Sequence, residues 1–319
     1  LPGQRDDEAP FQRMVAARFS LDHHELAIDN GAFADVLLRA VHAMEGPLPH
    51  FGCALLMLLC ERIRDVTKVV LTGEGADELF GGYMRYRQWR DLRRKGRIAN
   101  AIPHWAWPWL RRWREIERFS GRDPSIHASV MHDTVAIGCL FPQLVPVPGT
   151  REETAARFSD FRERMFAVDQ TAYLESLLMR QDKMAMAAGV EARVPFTHWP
   201  LAKAINAIPA SVRAPGGDTK PILKRIAESV LPVELVRRRK VGLRLPLREW
   251  LADGAGFGRY LDDLASPESR LGQFCDRASL RRAVEDFRNG RREGLPPLDH
   301  LVNVELWLRS VREPASFSD

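Results

Sequence analysis

The stretch Val69-Val70-Leu71-Thr72-Gly73-Glu74-Gly75-Ala76-Asp77-Glu78-Leu79-Phe80-Gly81-Gly82-Tyr83 decides how the rest of the chain is read. An apolar run ends in a glycine-flanked turn that holds three carboxylates, followed by a glycine pair and a tyrosine. Carboxylates packed so closely repel one another, and a cation, either a metal or a metal-bound phosphate, relieves the repulsion. Gly73 and Gly75 lack a Cβ, so the backbone can approach a phosphate or a purine closely. Asp77 is a hard oxygen donor of the kind magnesium accepts. Glu74 falls at the strand end, where a reacting atom can be reached. The alternative is a plain strand-to-helix turn in which Asp77 and Glu78 interact with the helix N-terminus.

Upstream, residues 1–19 read as a helix running into a short extended segment, Asp22 to Ile28. Asn30 is expected to cap a helix whose Phe33, Val36, Leu37, Ala40, Val41 and Met44 form a buried stripe, with Pro47 and Pro49 ending it. A second apolar helix, about Phe51 to Arg64, leads into a strand over Thr67 to Thr72. Helix, strand and turn in this order make an α/β unit, in which ligands gather at the carboxyl ends of strands. Downstream, helical stripes dominate: one over about Thr154 to Ala188, one capped by Thr219 and running to Val230, and one over Leu298 to Val311. Leu144 to Gly149, with two prolines, reads as a loop.

The chain has 319 residues, 45% hydrophobic and 28% charged, which fits a folded globular protein rather than a disordered one. No secretory signal and no apolar span of membrane length is visible. Cys53, Cys60, Cys139 and Cys275 are too scattered for a zinc site, and a reducing cytoplasm is the expected setting. Adjacent His23 and His24 on an extended segment point to opposite faces, so they read as structural. The run from Arg85 to Arg97 (RYRQWRDLRRKGR), followed by Trp105, Trp107, Trp109 and Trp113, has two readings: a surface for anionic lipid or nucleic acid, or a solvated arginine helix packed through its tryptophans. The second is preferred, and no nucleic-acid partner is expected.

Three more words lie beyond the turn. Asp182-Lys183-Met184-Ala185-Met186-Ala187 precedes Gly189-Val190-Glu191-Ala192-Arg193-Val194-Pro195-Phe196. Gly217-Asp218-Thr219-Lys220 leads to Leu223, Arg225 and Leu231-Pro232. Arg238-Arg239-Lys240-Val241-Gly242-Leu243 is followed by Pro246-Leu247 and Trp250. On their own terms, Lys240 is a compact charge suited to a triphosphate or pyrophosphate, or else a surface lysine in a basic cluster. Glu191 and Arg193 read as a partly buried ion pair that fixes a loop. Ala185, Ala187, Ala188, Ala192 and Val194 either line a narrow passage or let helices pack closely.

Together with the acidic turn, these words resemble the synthetase domain of the glutamine-dependent asparagine synthetases, over about Asp7 to Leu251. The resemblance implies a parallel sheet of the ATP-pyrophosphatase kind, here incomplete, within residues 1–100, and a large, mostly helical lobe over residues 101–319. It implies ATP and Mg²⁺. Aspartate, or another small carboxylate, would be adenylated and then aminated by ammonia from a glutaminase domain; a homodimer is allowed. Residue by residue, Thr72, Gly73, Gly75 and Tyr83 would contact the nucleotide, and Asp77 would hold magnesium. Glu74 would be the general base and Lys240 would neutralise the leaving pyrophosphate, with Ala192 and Val194 on a tunnel wall.

The chain departs from the family pattern. The S-G-G-x-D-S pyrophosphate loop and the N-terminal nucleophilic cysteine are absent, so truncation is expected and the polypeptide alone is expected to make no asparagine. Thr197-His198, Arg239 and Leu243 replace the usual residues and bear on the acceptor carboxylate. Two alternatives stand beside the main reading. One is a relative that activates another carboxylate, as β-lactam synthetases and lasso-peptide cyclases do. The other is a non-catalytic scaffold that uses the Arg/Trp segment.

Overall fold

A computed structural model describes residues 8–103, 106, 119, 122–127, 140–141, 143, 149–238, 245–291 and 295–311. It is a mostly helical α/β structure with a small parallel sheet among the described residues. Helices α1 (Ala9–Arg18), α2 (Asn30–Met44) and α3 (Gly52–Ile63) lead to strand β1 (Val69–Leu71), and the acidic turn feeds the five-residue helix α4 (Ala76–Phe80). Strand β2 (Glu191–Arg193) pairs with β1 in parallel, Val70 opposite Ala192.

The stripe on α2 is buried as its spacing requires: Phe33, Val36, Leu37, Ala40 and Val41 are all essentially inaccessible. They pack with Phe51, Phe257, Leu261, Leu301 and Leu306, so the main core joins α2 and α3 to the C-terminal helices. The cap of α2 is Asp29, whose carboxylate accepts the Ala32 N–H at 2.8 Å. Asn30, the expected cap, instead ties the helix start to the Trp250–Phe257 loop: its Nδ2 donates to Asp253 at 3.0 Å and its Oδ1 accepts the Phe257 N–H at 2.8 Å. At the other side of the core, Asn303 exchanges two hydrogen bonds with the backbone of Leu48, satisfying a buried loop.

The expected stripe over Thr154 to Ala188 is three helical pieces. A helix over Thr150–Ala156 stops, and Asp160 caps α5 (Phe161–Val168) by accepting from the Arg162 and Glu163 amides. One turn of π-helix, Asp169–Tyr173, then joins α5 to α6 (Leu174–Ala187). The π-turn inserts a residue into the helical ladder and aims Asp169 inward. Helix α7 (Pro221–Ala227) starts after Lys220 rather than at Thr219.

Helix α6 lies on the sheet through small residues. Ala185, Ala188 and Val190 are buried against Cys60, Leu56, Val70 and Ala192, which is the close-packing role for those alanines. Cys53 and Cys60 are buried free thiols, and burial pushes both thiols up. Glu191 and Arg193 do pair, at 2.8 Å, but with more than half of each side chain exposed. The expectation of a partly buried clasp is therefore corrected: both residues sit on the outward face of β2, two apart, and such an exposed pair contributes little.

The outer face of β1 is open. Leu71 is 72% exposed, and β1 has no second strand neighbour among the described residues. An unpaired apolar edge of this kind invites pairing with another strand. No described helix is long and apolar enough to cross a membrane. In the arginine-rich helix Trp89–Ala101, Leu92 and Ala99 are buried, and Arg90, Arg93, Arg94 and Arg97 face solvent. Trp89 lies under Arg162 at 4.6 Å and beside Phe161. This is the solvated-face arrangement for the described part; Trp105, Trp107, Trp109 and Trp113 lie outside the described residues, as do Cys139 and residues 144–148 of the proline loop.

Candidate active site

The site is built at the carboxyl end of β1. The Thr72 amide donates to the Arg193 carbonyl at 2.9 Å, continuing the parallel ladder one residue past the strand. The chain then turns through Gly73 to Gly75, whose φ is +89°. A Cβ on Gly75 would meet Thr197 Cγ2 at 2.7 Å, so both backbone strain and the approach of the 195–197 turn demand glycine there. Gly73 has open space where its Cβ would be, which leaves the backbone bare at the mouth of the turn.

The three carboxylates of the turn each have a partner. Glu74 Oε1 accepts from Arg180 Nη2 at 2.9 Å. Asp77 Oδ1 lies 2.8 Å from Lys220 Nζ. Glu78, 1% exposed, accepts from the Tyr83 hydroxyl. The expectation that their mutual repulsion awaits an outside cation is thereby corrected in part: α6 and the start of α7 bring protein cations to the first two. Burial raises the Glu78 carboxyl, with the Tyr83 bond pulling the other way.

A buried network continues behind the turn. Asp169 accepts from Arg85 and from the Tyr86 hydroxyl. Arg85 also stacks over the Tyr83 ring at 4.2 Å. Gln170 donates to the Glu78 carbonyl at 3.2 Å. The π-turn thus clamps the helix that follows the acidic motif.

The structure brings Thr72, Gly73, Glu74, Gly75, Asp77 and Tyr83 to one turn. Tyr83 points its hydroxyl inward to Glu78, and its ring meets Tyr173 edge-on. Lys240, with Arg239, Val241, Gly242 and Leu243, lies outside the described residues. Three residues without a role in the sequence reading join the site: Arg180, Gln181, whose Nε2 donates to Thr72 Oγ1 at 2.7 Å, and Lys220. Lys220 stands at φ +51°, rare for a side-chain-bearing residue, and its amide donates to the Gly81 carbonyl. Strain of this kind collects at functional sites.

Among the described residues no group of three His, Cys, Asp or Glu is arranged to hold a metal. Asp77 alone still fits Mg²⁺, because that ion is commonly held by one or two carboxylates with phosphate oxygens and water completing its shell. Lys220 would have to yield or share that carboxylate.

Two changes test this geometry. A Cβ on Gly82 would fall 1.6 Å from Asp77 Oδ1 and 2.9 Å from Asp77 Cα. Gly82→Ala is therefore expected to cost about 2 kcal/mol or more through overpacking, read as a lower denaturant midpoint; an unchanged midpoint would mean that the turn is looser than described. The second concerns His50, beside the site. Burial first, then Arg180 and His300, push its imidazole down from 6.5 to about 4. Its Nδ1 accepts the Gly52 N–H at 2.9 Å, which the neutral ring permits. The unfolded chain binds this proton below about pH 6.5 and the folded chain only below about 4. Folding stability is whole above 6.5 and falls by about 3 kcal/mol as pH drops to 4, at about 1.4 kcal/mol for each tenfold difference in proton affinity. In His50→Gln that part of the slope between pH 6.5 and 4 is expected to vanish, as measured by urea unfolding at several pH values.

The asparagine synthase family profile matches residues 2–309. The chain belongs to the asparagine synthase family. It is 26% identical over 259 residues to asparagine synthetase [glutamine-hydrolyzing] 1 of Bacillus subtilis, a match covering 76% of this chain and 41% of that protein. A putative asparagine synthetase [glutamine-hydrolyzing] of Mycobacterium bovis is 26% identical over 311 residues, covering 89% of the chain and 46% of the relative. A Penicillium rubens protein named amidase chyE is 23% identical over 320 residues, covering 88% and 47%. The chain spans a little under half the length of these relatives. The family match covers the acidic turn, the helix that carries Arg180 and the segment that carries Lys220.

Proposed function

We propose that this chain is the synthetase part of an ATP-dependent carbon–nitrogen ligase of the asparagine synthetase type, with an ATP-pyrophosphatase-like sheet in residues 1–100 and a helical lobe over 101–319. One observation carries the reading: an acidic turn at the carboxyl end of a parallel strand, open at Gly73 and Glu74, with Asp77 and Lys220 side by side. The proposed substrates are ATP and a small carboxylate, aspartate first. A carboxylate oxygen attacks the α-phosphorus, and the bond from that phosphorus to the leaving pyrophosphate breaks. Ammonia, supplied by glutamine hydrolysis elsewhere in the protein, then attacks the acyl carbon, AMP leaves, and the nitrogen gives up a proton.

Thr72, Gly73, Gly75 and Tyr83 would face the nucleotide. Asp77 would hold Mg²⁺, which when bound offsets charge on the phosphate oxygens. Lys220 and Lys240 would lie against the leaving pyrophosphate, and preorganised cations there act on charge as it develops. Glu74 would take the proton from nitrogen. Free Cys53, Cys60 and Cys275 suit a reducing cytoplasm.

Isotope exchange between pyrophosphate and ATP in the full-length protein, run with aspartate and with a panel of other acids, tests the reading. Aspartate-dependent exchange is the expected result. Exchange with another acid alone would move the chain to the second branch, a ligase for a different carboxylate, where Thr197 and His198 bear on selectivity. No exchange with any acid would remove the ligase reading.

The scaffold alternative keeps one support, a cleft of about 780 Å³ lined by Arg93, Arg97, Arg122 and Arg164. Liposome co-sedimentation that is unchanged by replacing these arginines removes it.

A further inference from the structure

We infer that Arg180 is a positioning residue for the amination step, holding the Glu74 carboxylate in the orientation from which it accepts a proton. The inference rests on the proposed function and assigns a role to a residue outside the acidic turn. Arg180 and Gln181 are successive residues of α6, and they reach two positions of the same turn, Glu74 and Thr72. The Arg180 side chain is 14% exposed and that of Glu74 is 27% exposed. The pair is therefore partly shielded from water, where a charge-assisted bond is directional. It uses Glu74 Oε1, and Oε2 has no hydrogen bond among the described residues, so that oxygen is left to receive a proton.

Stability does not explain this arginine. A half-buried ion pair is a poor source of folding energy compared with apolar packing, and Arg180 Nε is buried without a partner among the described residues. Its other neighbours are neutral: the depressed His50, the Cys53 thiol and the Tyr173 ring. Among the described residues Glu74 is the one carboxylate that Arg180 pairs with. An arginine whose one carboxylate partner is the proton acceptor points to orientation as its purpose, and small losses of orientation cost about 10²-fold in rate.

The test separates the two half-reactions in the full-length protein, comparing wild type, Arg180→Gln and Arg180→Lys. For Arg180→Gln, pyrophosphate exchange is expected to stay within about two-fold of wild type while amide formation falls about 10²-fold. Arg180→Lys, which keeps the charge, is expected to recover a good part of that loss. Equal losses in both half-reactions would mean a structural role and overturn the inference, as would unchanged amide formation. Should Arg180→Gln fail to fold, Arg180→Lys alone decides: a several-fold loss confined to amination supports the inference, and an equal loss in both steps, or no loss in either, refutes it. Absence of exchange in the wild type removes the proposed function itself, and this role with it, before any variant is compared.

Discussion

Glu74→Gln is expected to lower amide formation by about 10²- to 10⁴-fold, the usual range for removing a general base, while carboxylate-dependent pyrophosphate exchange stays within a few-fold. Glu74 sits one residue past Gly73 at the carboxyl end of β1, with Arg180 on one oxygen and the other oxygen open. Glutamine keeps the shape and keeps an acceptor for Arg180, but it cannot take a proton. Exchange and amide formation dropping together would place Glu74 in adenylation. Neither dropping would leave it as the structural partner of Arg180.

Asp169→Ala is expected to destabilise the fold by about 3–5 kcal/mol, because it strands a buried cation. Asp169 is 2% exposed, and the Arg85 side chain that it accepts from is 13% exposed. Burial raises the Asp169 carboxyl against the opposing pull of Arg85 and Tyr86. Alanine removes that pull and leaves both donors facing an apolar pocket formed with Phe166, which stacks on Tyr86 at 4.4 Å. Urea unfolding reads the effect directly. A loss under about 1 kcal/mol, no more than a surface substitution costs, would mean that Arg85 finds solvent and that the π-turn is not the clamp described. Because Arg85 also stacks on Tyr83, the variant is expected to lose nucleotide affinity together with stability.

Much of this arrangement was legible in the sequence because its signals are local. The α2 stripe, the apolar run of β1 and the glycine-flanked turn all declare themselves within a few residues. Gly75 was read as room for a ligand, whereas the structure gives it a positive φ and fills its Cβ position with Thr197. What was not legible is long-range. Arg180 meets Glu74 across 106 residues, and no spacing rule links them. Lys220 was visible within its own word, but its place against Asp77 depends on how α7 docks. The break at Asp160 was hidden because apolar residues resume in phase at Phe161, Met165 and Phe166. Asp29 displaced Asn30 as the cap because either side chain can accept a helix amide, and only the Trp250–Phe257 loop decides which one is needed elsewhere. The exposure of Glu191 and Arg193 followed from the open side of β2, which the sequence of the strand does not announce.

On the proposed function, the turn after β1 manages the phosphates of a nucleoside triphosphate. A crystal structure of the full-length protein with Mg²⁺ and a non-hydrolysable ATP analogue tests it most directly. The phosphate chain is expected within hydrogen-bond reach of Lys220 Nζ, with the metal on Asp77 and the Lys220–Asp77 contact lengthened. A nucleotide seated elsewhere, for instance among Arg93, Arg97 and Arg122 with the Lys220–Asp77 pair intact, would contradict it.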